Sequence, residues 1–208
     1  MSEASAILHA DRQKAIQRRH PWVFSGAIMR VDGSPSDGDI VAVRSEAGEF
    51  LARGYWNGQS MIRVRLMSWV ESETIDEAYW QRKLEQALNA RHIENRINAH
   101  GTANAYRLAN AENDGLPGLI VDRYGDWLAV QALSLGVARR KDMLAALLVK
   151  LLNPAGIYER SDVDMRVKEG LPPETGLLTG KEPPELIEID ENGRRFLVDI
   201  RRGHKTGF

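Results

Sequence analysis

Short apolar runs separated by turn residues fill the first third of the chain, from Ala6 to Ser68. The segment 32–38 consists almost entirely of residues that favour turns, and Asn57-Gly58 interrupts the pattern again. Short apolar runs bounded by such breaks predict strands, and several strands at this spacing are typical of a small barrel. We therefore predict five strands, over residues 6–9, 26–31, 40–44, 50–56 and 61–68.

A different pattern begins after residue 70 and predicts a long helix. Thr74 and Glu77 have the spacing of a capping box, which marks a helix start. Beyond residue 88 the apolar stripe changes side, so the helix either bends near Ala90 or turns its far end to another partner, and His100-Gly101 ends it. The stripe itself is formed by Trp80, Leu84, Ala87 and Leu88.

The rest of the chain predicts a second domain of mixed α and β structure. The runs 119–122 and 127–133 predict one hairpin, and Asn192-Gly193 between alternating apolar residues predicts another. Between them, leucines at helical spacing predict a helix that ends at Asn153-Pro154, and 156–159 predict a further strand. The fold class is therefore α+β: a small β-barrel, then a sheet covered by one helix. We place the barrel at 1–69, the second domain at 70–200 and a connecting segment at 201–208.

Composition excludes several kinds of chemistry. The 208 residues are 43% apolar, which is enough for two small cores. The absence of cysteine excludes disulfides, thiolate zinc sites and thiol nucleophiles in this chain. The five histidines show no metal-ligand spacing, so no metal site is expected, and no glycine-rich cofactor turn occurs. Without a secretion signal or an apolar run of about 20 residues, we expect a soluble, cytoplasmic protein that does not contact a membrane.

A stretch of basic and aromatic residues, 18–26, differs from its surroundings. Two arginines and a histidine precede a proline there, and a tryptophan and a phenylalanine follow. Between positions 11 and 30, five Lys or Arg residues accompany one Asp, although the formal net charge of the chain is −1. This local combination of positive charge and flat apolar surface suits phosphates and bases.

Two further arginines lie in the last predicted barrel strand. Arg63 and Arg65 alternate with apolar residues, so we expect both to leave the barrel on one face. The same alternation is equally consistent with a face that is only solvated, because it places polar residues of any kind outside. A nucleic-acid contact must come from such a local patch, since the overall charge does not favour non-specific binding.

Acidic residues offer a second kind of chemistry. The candidates are Glu112, Asp114, Asp122, Asp162 and Asp164. They could serve as acid or base groups or as cation ligands in a free-standing enzyme, such as a carboxylate-based hydrolase. We favour a structural interpretation, since Asn-Asp-Gly-x-Pro has turn chemistry and Ser161 or Asp162 suits a helix N-cap. A third alternative is an interaction module or homodimer that uses the apolar side of the 74–100 helix.

Five blocks of the sequence, taken in order, resemble one family. They are RRHPWVFSGA (18–27), LARG (51–54), NDGLPGLIVDRYG (113–125), YERSD (158–162), and DI with GHKTGF (199–200 and 203–208). Together they resemble the RlmI-type ribosomal RNA large-subunit methyltransferases. The resemblance implies an RNA-binding PUA domain, a central α+β domain, and a C-terminal Rossmann-like domain that uses S-adenosylmethionine to make 5-methylcytosine in 23S ribosomal RNA.

The sequence departs from that family in what catalysis requires. Methylation at C5 of cytosine generally needs a thiolate, and this chain has no cysteine. It ends about where the family's methyltransferase domain begins, so we assign no catalytic and no cofactor-binding residue, with residues 205–208 at most at the edge of that site.

The resemblance thus implies an RNA-recognition portion that is inactive by itself. The RNA-binding residues predicted on this basis are Lys14, Arg18, Arg19, His20, Trp22, Phe24, Arg53, Arg63 and Arg65. The arginines would contact phosphates, and the aromatics would stack on a base or sugar. Alternatively, Trp22, Val23 and Phe24 close the open end of the barrel, because buried aromatics mostly serve packing.

Overall fold

The N-terminal strands form one curled six-stranded sheet. The structure, a computed structural model, describes residues 3–91, 104–191 and 193–203. The strands are β1 (Ser5–Leu8), β2 (Trp22–Phe24), β3 (Ile28–Asp32), β4 (Ile40–Arg44), β5 (Phe50–Trp56) and β6 (Ile62–Ser68), with helix α1 (Gln13–Gln17) between β1 and β2. Their order in the sheet is β2-β6-β5-β4-β1-β3, and β1 pairs with β4 in parallel.

Five of these strands lie where the apolar runs predicted them, and β4 and β5 agree to the residue. The sixth, β2, was not predicted. It is only three residues long and pairs with β6 at the edge of the sheet, next to a 3₁₀ turn at Ser25–Ala27. A run this short carries too little alternation to be distinguished from a loop.

The second region contains a five-stranded sheet and a separate hairpin. The sheet order is β11-β10-β9-β8-β7, with β9 and β10 parallel and the other pairs antiparallel. Both predicted hairpins are present, as β8–β9 and β12–β13. The strands β7 and β11 were not predicted. The bounds are β7 (Ala105–Asn110), β8 (Leu119–Tyr124), β9 (Trp127–Ala132), β10 (Gly156–Ser161), β11 (Glu174–Gly180), β12 (Ile187–Glu191) and β13 (Arg194–Val198).

Two helices, rather than one, pack on this sheet. They are α2 (Glu77–Ala90) and α4 (Lys141–Leu152), with the short α3 (Leu135–Ala138) before α4. The capping-box prediction was wrong, because the N-cap of α2 is Asp76, whose carboxylate accepts a hydrogen bond from Tyr79 N. The predicted stripe is confirmed, with Trp80 and Leu84 fully buried. The predicted end at His100-Gly101 lies outside the described residues.

The barrel and the second region share a continuous apolar core. Tyr55 and Met67, from β5 and β6, belong to the same buried cluster as α2, α4 and the five-stranded sheet. The Tyr55 hydroxyl donates a hydrogen bond to Pro117 O, and burial raises the pKa of Tyr55. Gly136 lies against the ring, since a Cβ there would be 2.3 Å from Tyr55 Cγ. The two regions are therefore in direct contact.

Among the described residues, no helix is long and apolar enough to cross a membrane.

Candidate nucleic-acid interface

Four exposed basic residues lie at the end of α1 and in the turn that follows it, and we call them the basic corner: Lys14, Arg18, Arg19 and His20. The helix ends at Gln17, and Arg19 takes a left-handed backbone conformation with φ of 66°. This turn reverses the chain into β2. Lys14 and Arg18 are exposed and form no ion pair with a described residue, so their charges are available to an outside ligand. The Arg19 guanidinium lies 5.1 Å from the centroid of the Trp69 ring.

Three rings follow one another along the corner and the start of β2. The rings of His20 and Trp22 are 5.8 Å apart, and those of Trp22 and Phe24 are 6.2 Å apart and nearly perpendicular. Only Val23 of this strand points into the barrel core, where it is 1% exposed, whereas Phe24 is 45% exposed. The alternative in which all three residues close the barrel therefore applies to Val23 and not to Phe24.

The corner encloses a shallow cavity of about 360 Å³ between α1 and β2. Its lining includes Arg12, Ile16, His20, Trp22 and Phe24. The Arg12 guanidinium is paired with Asp11 at 3.2 Å, so the concave surface offers an imidazole and two flat rings rather than a free charge. Such rings can stack on a base or sugar.

Arg65 holds its guanidinium 5.7 Å from the centroid of the Trp22 ring and is not solvated. Its side chain is 7% exposed, and it forms ion pairs of 2.8 Å with Glu112 and with Glu169. Arg65 therefore leaves the barrel core but does not reach solvent, so the alternative of a merely solvated face does not apply to it. Its face of β6 is covered by the second region of the chain.

The two carboxylates around Arg65 accept hydrogen bonds from several other side chains. We call the residues joined in this way the interface network: Trp22, Asn57, Ser60, Arg65, Glu112 and Glu169. Trp22 Nε1 donates to Glu112 Oε1 at 2.8 Å, and Ser60 Oγ donates to Glu169 Oε1 at 2.9 Å. Burial alone would lower the pKa of Arg65, but Tyr55 and the two glutamates outweigh it and raise that pKa. The guanidinium therefore stays charged, and the network joins the barrel to the second region.

Sequence reasoning missed Glu169 and did not connect Glu112 with Arg65. These glutamates lie 104 and 47 residues from Arg65 along the chain. No local pattern signals a pairing over such a separation, so the sequence carried no direct sign of this network.

The two remaining predicted arginines are partly occupied. Arg53 pairs with Glu3 at 3.2 Å, donates to Glu73 O at 2.7 Å, and is 13% exposed in its side chain. Arg63 is half-buried, lies 5.6 Å from the Trp56 ring, and donates to the backbone carbonyl oxygen of Gly58. Arg63 retains a charge without an ion-pair partner among the described residues, whereas Arg53 does not.

Most of the candidate acids are engaged in ion pairs, whereas Asp164 is exposed and forms none with a described residue. Asp114 pairs with Arg91 at 2.5 Å and accepts a hydrogen bond from Asn110 N at 2.6 Å. Asp122 pairs with Arg107 at 2.8 Å. In the described part of the chain no group of three His, Asp or Glu side chains could hold a metal ion. The turn interpretation is favoured for Asp114.

The predicted N-cap at Ser161 or Asp162 was wrong. The 3₁₀ helix that follows begins at Asp164, and its N-cap, Val163, makes no side-chain cap hydrogen bond. Ser161 Oγ instead accepts a hydrogen bond from Ala132 N at 2.8 Å, and Asp162 pairs with Arg160 at 3.3 Å.

The apolar side of α2 is not available for a partner over its described length. Trp80 and Leu84 are fully buried in the core of the same chain. This part of the predicted 74–100 helix therefore offers no apolar interaction surface.

Comparison with known proteins identifies the first region and then the chain. A family model described as a PUA-like domain matches residues 6–69, which contain most of the curled sheet and the basic corner. The proteins named ribosomal RNA large subunit methyltransferase I from Aeromonas hydrophila and Aliivibrio fischeri are 47% and 46% identical over 99% and 98% of this chain. The chain is thus homologous to these proteins over nearly its whole length, and it spans about half the length of these curated relatives, 51% of each.

Solved structures agree on the fold. A protein of Streptococcus mutans described as a candidate SAM-dependent methyltransferase superposes with a TM-score of 0.74 over 96% of this chain and 49% of its own, at 23% identity. A candidate methyltransferase complexed with SAH gives a TM-score of 0.76 at 22% identity, over the same shares. The α+β fold class predicted from the sequence is confirmed.

Proposed function

We propose that this chain is the RNA-binding portion of an S-adenosylmethionine-dependent methyltransferase that makes 5-methylcytosine in 23S ribosomal RNA in the cytoplasm. The names of its relatives support ribosomal RNA as the partner, and the PUA-like domain supports a binding role. The single observation that carries the proposal is the basic corner, where unpaired exposed cations lie beside an exposed aromatic ring.

The proposed contacts divide by chemistry. Lys14, Arg18 and Arg19 bind phosphates, because they are exposed at the end of α1 and at the turn that follows. His20, Trp22 and Phe24 offer ring faces and edges to a base or sugar. Arg63 extends the patch along β6, whereas Arg53 and Arg65 are omitted because carboxylates and carbonyls already occupy them.

The chain by itself does not catalyse the transfer in this proposal. C5 methylation of cytosine generally needs a thiolate that adds to the ring, and the chain offers no cysteine. In this proposal a further domain would bind S-adenosylmethionine and supply the nucleophile. The relatives are long enough to contain one, because this chain spans only 51% of the length of the first.

The test is the salt dependence of RNA binding. We expect Arg18→Ala with Arg19→Ala to weaken binding to a 23S ribosomal RNA transcript and to reduce the slope of log K against log salt by about two units, one for each lost phosphate contact. Arg194→Ala with Arg195→Ala, on the distant β12–β13 hairpin, removes the same charge and is the matched control. An equal loss in both double variants, or none in the first, contradicts the proposal.

A further inference from the structure

A second concave surface lies directly behind the aromatic residues of the corner. It is a groove of about 790 Å³ between the barrel and the second region. Trp22 and Phe24 line both this groove and the shallow cavity of the corner, so they form the ridge between them. A single RNA strand bound at the basic corner would therefore reach the groove by crossing this one ridge.

The rim of the groove is apolar and exposed. Phe24, Met61 and Met165 are 45%, 71% and 55% exposed, and all three line this groove. Exposed aromatic and thioether side chains of this kind provide adaptable contact surface for a flat ligand. Lys168, also exposed, adds a cation that belongs to the second region, whereas the basic corner belongs to the barrel. Positive charge from both regions suits a polyanion that crosses the groove.

The floor of the groove contains one carboxylate with an unused oxygen. Glu112 receives Trp22 Nε1 and Arg65 Nη1 on the same atom, Oε1, each at 2.8 Å. Its Oε2 has no hydrogen bond to any residue that the structure describes, and the side chain is 21% exposed. A carboxylate oxygen can only accept, so it favours a ligand that directs a hydrogen-bond donor, such as an amino group, towards it.

We propose that the groove binds one unstacked RNA base that carries an exocyclic amino group, with Glu112 Oε2 accepting a hydrogen bond from that group. This inference rests on the proposed function, since the phosphates on either side of the base would lie on the basic corner and near Lys168. Trp22 supplies a stacking face whose edge is already fixed by Glu112, so little ordering is needed on binding.

The test uses the full chain and two labelled single-stranded RNA 12-mers, C12 and U12. Cytosine presents an N4 amino donor where uracil presents an O4 acceptor, and the two bases are otherwise of equal size. We expect the wild-type chain to bind C12 about tenfold more tightly than U12. Glu112→Gln keeps an oxygen for Trp22 and Arg65 but places an amide N–H₂ at the position of Oε2. We expect it to abolish or reverse this preference.

Met165→Ala tests the groove apart from the corner, because Met165 lies on the wall that the second region provides. We expect it to weaken C12 binding about tenfold without changing the salt slope. Leu197→Ala, an equally exposed apolar residue on β13, is the control and should leave binding unchanged.

The two proposals fail in different ways. If the chain does not bind the 23S ribosomal RNA transcript, or if Arg18→Ala with Arg19→Ala leaves that binding unchanged, the proposed function is overturned. If the chain binds the transcript but neither oligonucleotide, only the base site is overturned. If those arginine variants weaken binding while Met165→Ala and Glu112→Gln do not alter it, the RNA function stands. In that case the base site is overturned, and the groove serves another occupant, such as a protein domain.

Discussion

Two arginines of the barrel, Arg18 and Arg65, have opposite surroundings. Arg18, in the basic corner, is exposed and has no ion-pair partner among the described residues. Arg65, in the interface network, is 7% exposed and lies between two glutamates. The first charge is available to a ligand, whereas the second is neutralised inside the chain. A basic sequence therefore contains both binding and structural arginines, and only their partners distinguish them.

Among the substitutions that distinguish the basic corner from the interface network, we expect Arg65→Met to reduce stability most. It leaves Glu169, 2% exposed, without its ion-pair partner. Breaking a buried pair costs about 3–5 kcal/mol, and we expect about 3 because Asn57 and Ser60 still donate to Glu169. Urea unfolding measures the loss. Arg18→Met is the matched control and should change stability by less than about 0.5 kcal/mol. Similar losses in both variants would remove the distinction.

A smaller loss is expected from Gly136→Ala. The added Cβ would lie 2.3 Å from Tyr55 Cγ, in the contact between the barrel and the second region. Forcing such a contact apart costs about 1–3 kcal/mol, measured as a lowered melting temperature. Gly26→Ala at the corner is the control, since a Cβ there has no neighbour within 4 Å. An unchanged melting temperature for Gly136→Ala would show that the two regions can separate at little cost.

Trp22→Phe tests the residue that both surfaces share. It keeps an aromatic ring but removes the N–H that binds Glu112 at 2.8 Å. Hydrogen bonds to charged groups contribute about 1.5–3 kcal/mol, and we expect about 1 here because the site is only half-buried. Phe24→Leu, which removes no hydrogen bond, should cost less in the same urea titration. The opposite order would show that packing, not the hydrogen bond, fixes Trp22.

The smallest effect is expected at Glu174, an exposed residue that, unlike those of the basic corner, forms ion pairs. The hydrogen bond from Lys141, 2.6 Å long, holds the pKa of Glu174 below its usual value. A lowered pKa in the folded state means that this stabilisation is complete above about pH 4.3 and is lost as the pH falls through the folded pKa.

Glu174→Gln should therefore lower the melting temperature at neutral pH and have less effect near pH 2. Glu185→Gln is the control, because Glu185 is exposed and has no ion pair with a described residue. A Glu174→Gln effect of equal size at both pH values would contradict the assignment of the lowered pKa.

The sequence predicted the parts of the fold that depend on local pattern. β4 and β5 are short, mainly apolar runs with clear turns on both sides, and their bounds were predicted correctly. β2 was too short to show a period, and β11 contains two glycines that weaken any strand pattern. The predicted N-cap, Thr74, lies two residues before the observed one, Asp76, because a threonine side chain offers equivalent capping chemistry.

The candidate site divides in the same way. The basic corner depends on neighbours along the chain, so its exposed cations and rings could be located from residues 14–24 alone. The burial of Arg65 depends on Glu112 and Glu169, which come from other elements of the fold. Alternation on β6 indicated that Arg65 leaves the barrel, but it could not show that another part of the chain covers that face.

The hydrogen bond from Trp22 to Glu112 has an optical consequence. The indole ring belongs to the barrel, and the carboxylate that holds its edge belongs to the second region. A small displacement of one region against the other would break this bond and change the polarity around the indole. The emission of Trp22 would thus report the alignment of the two regions, in a chain whose four other tryptophans can be replaced to isolate the signal.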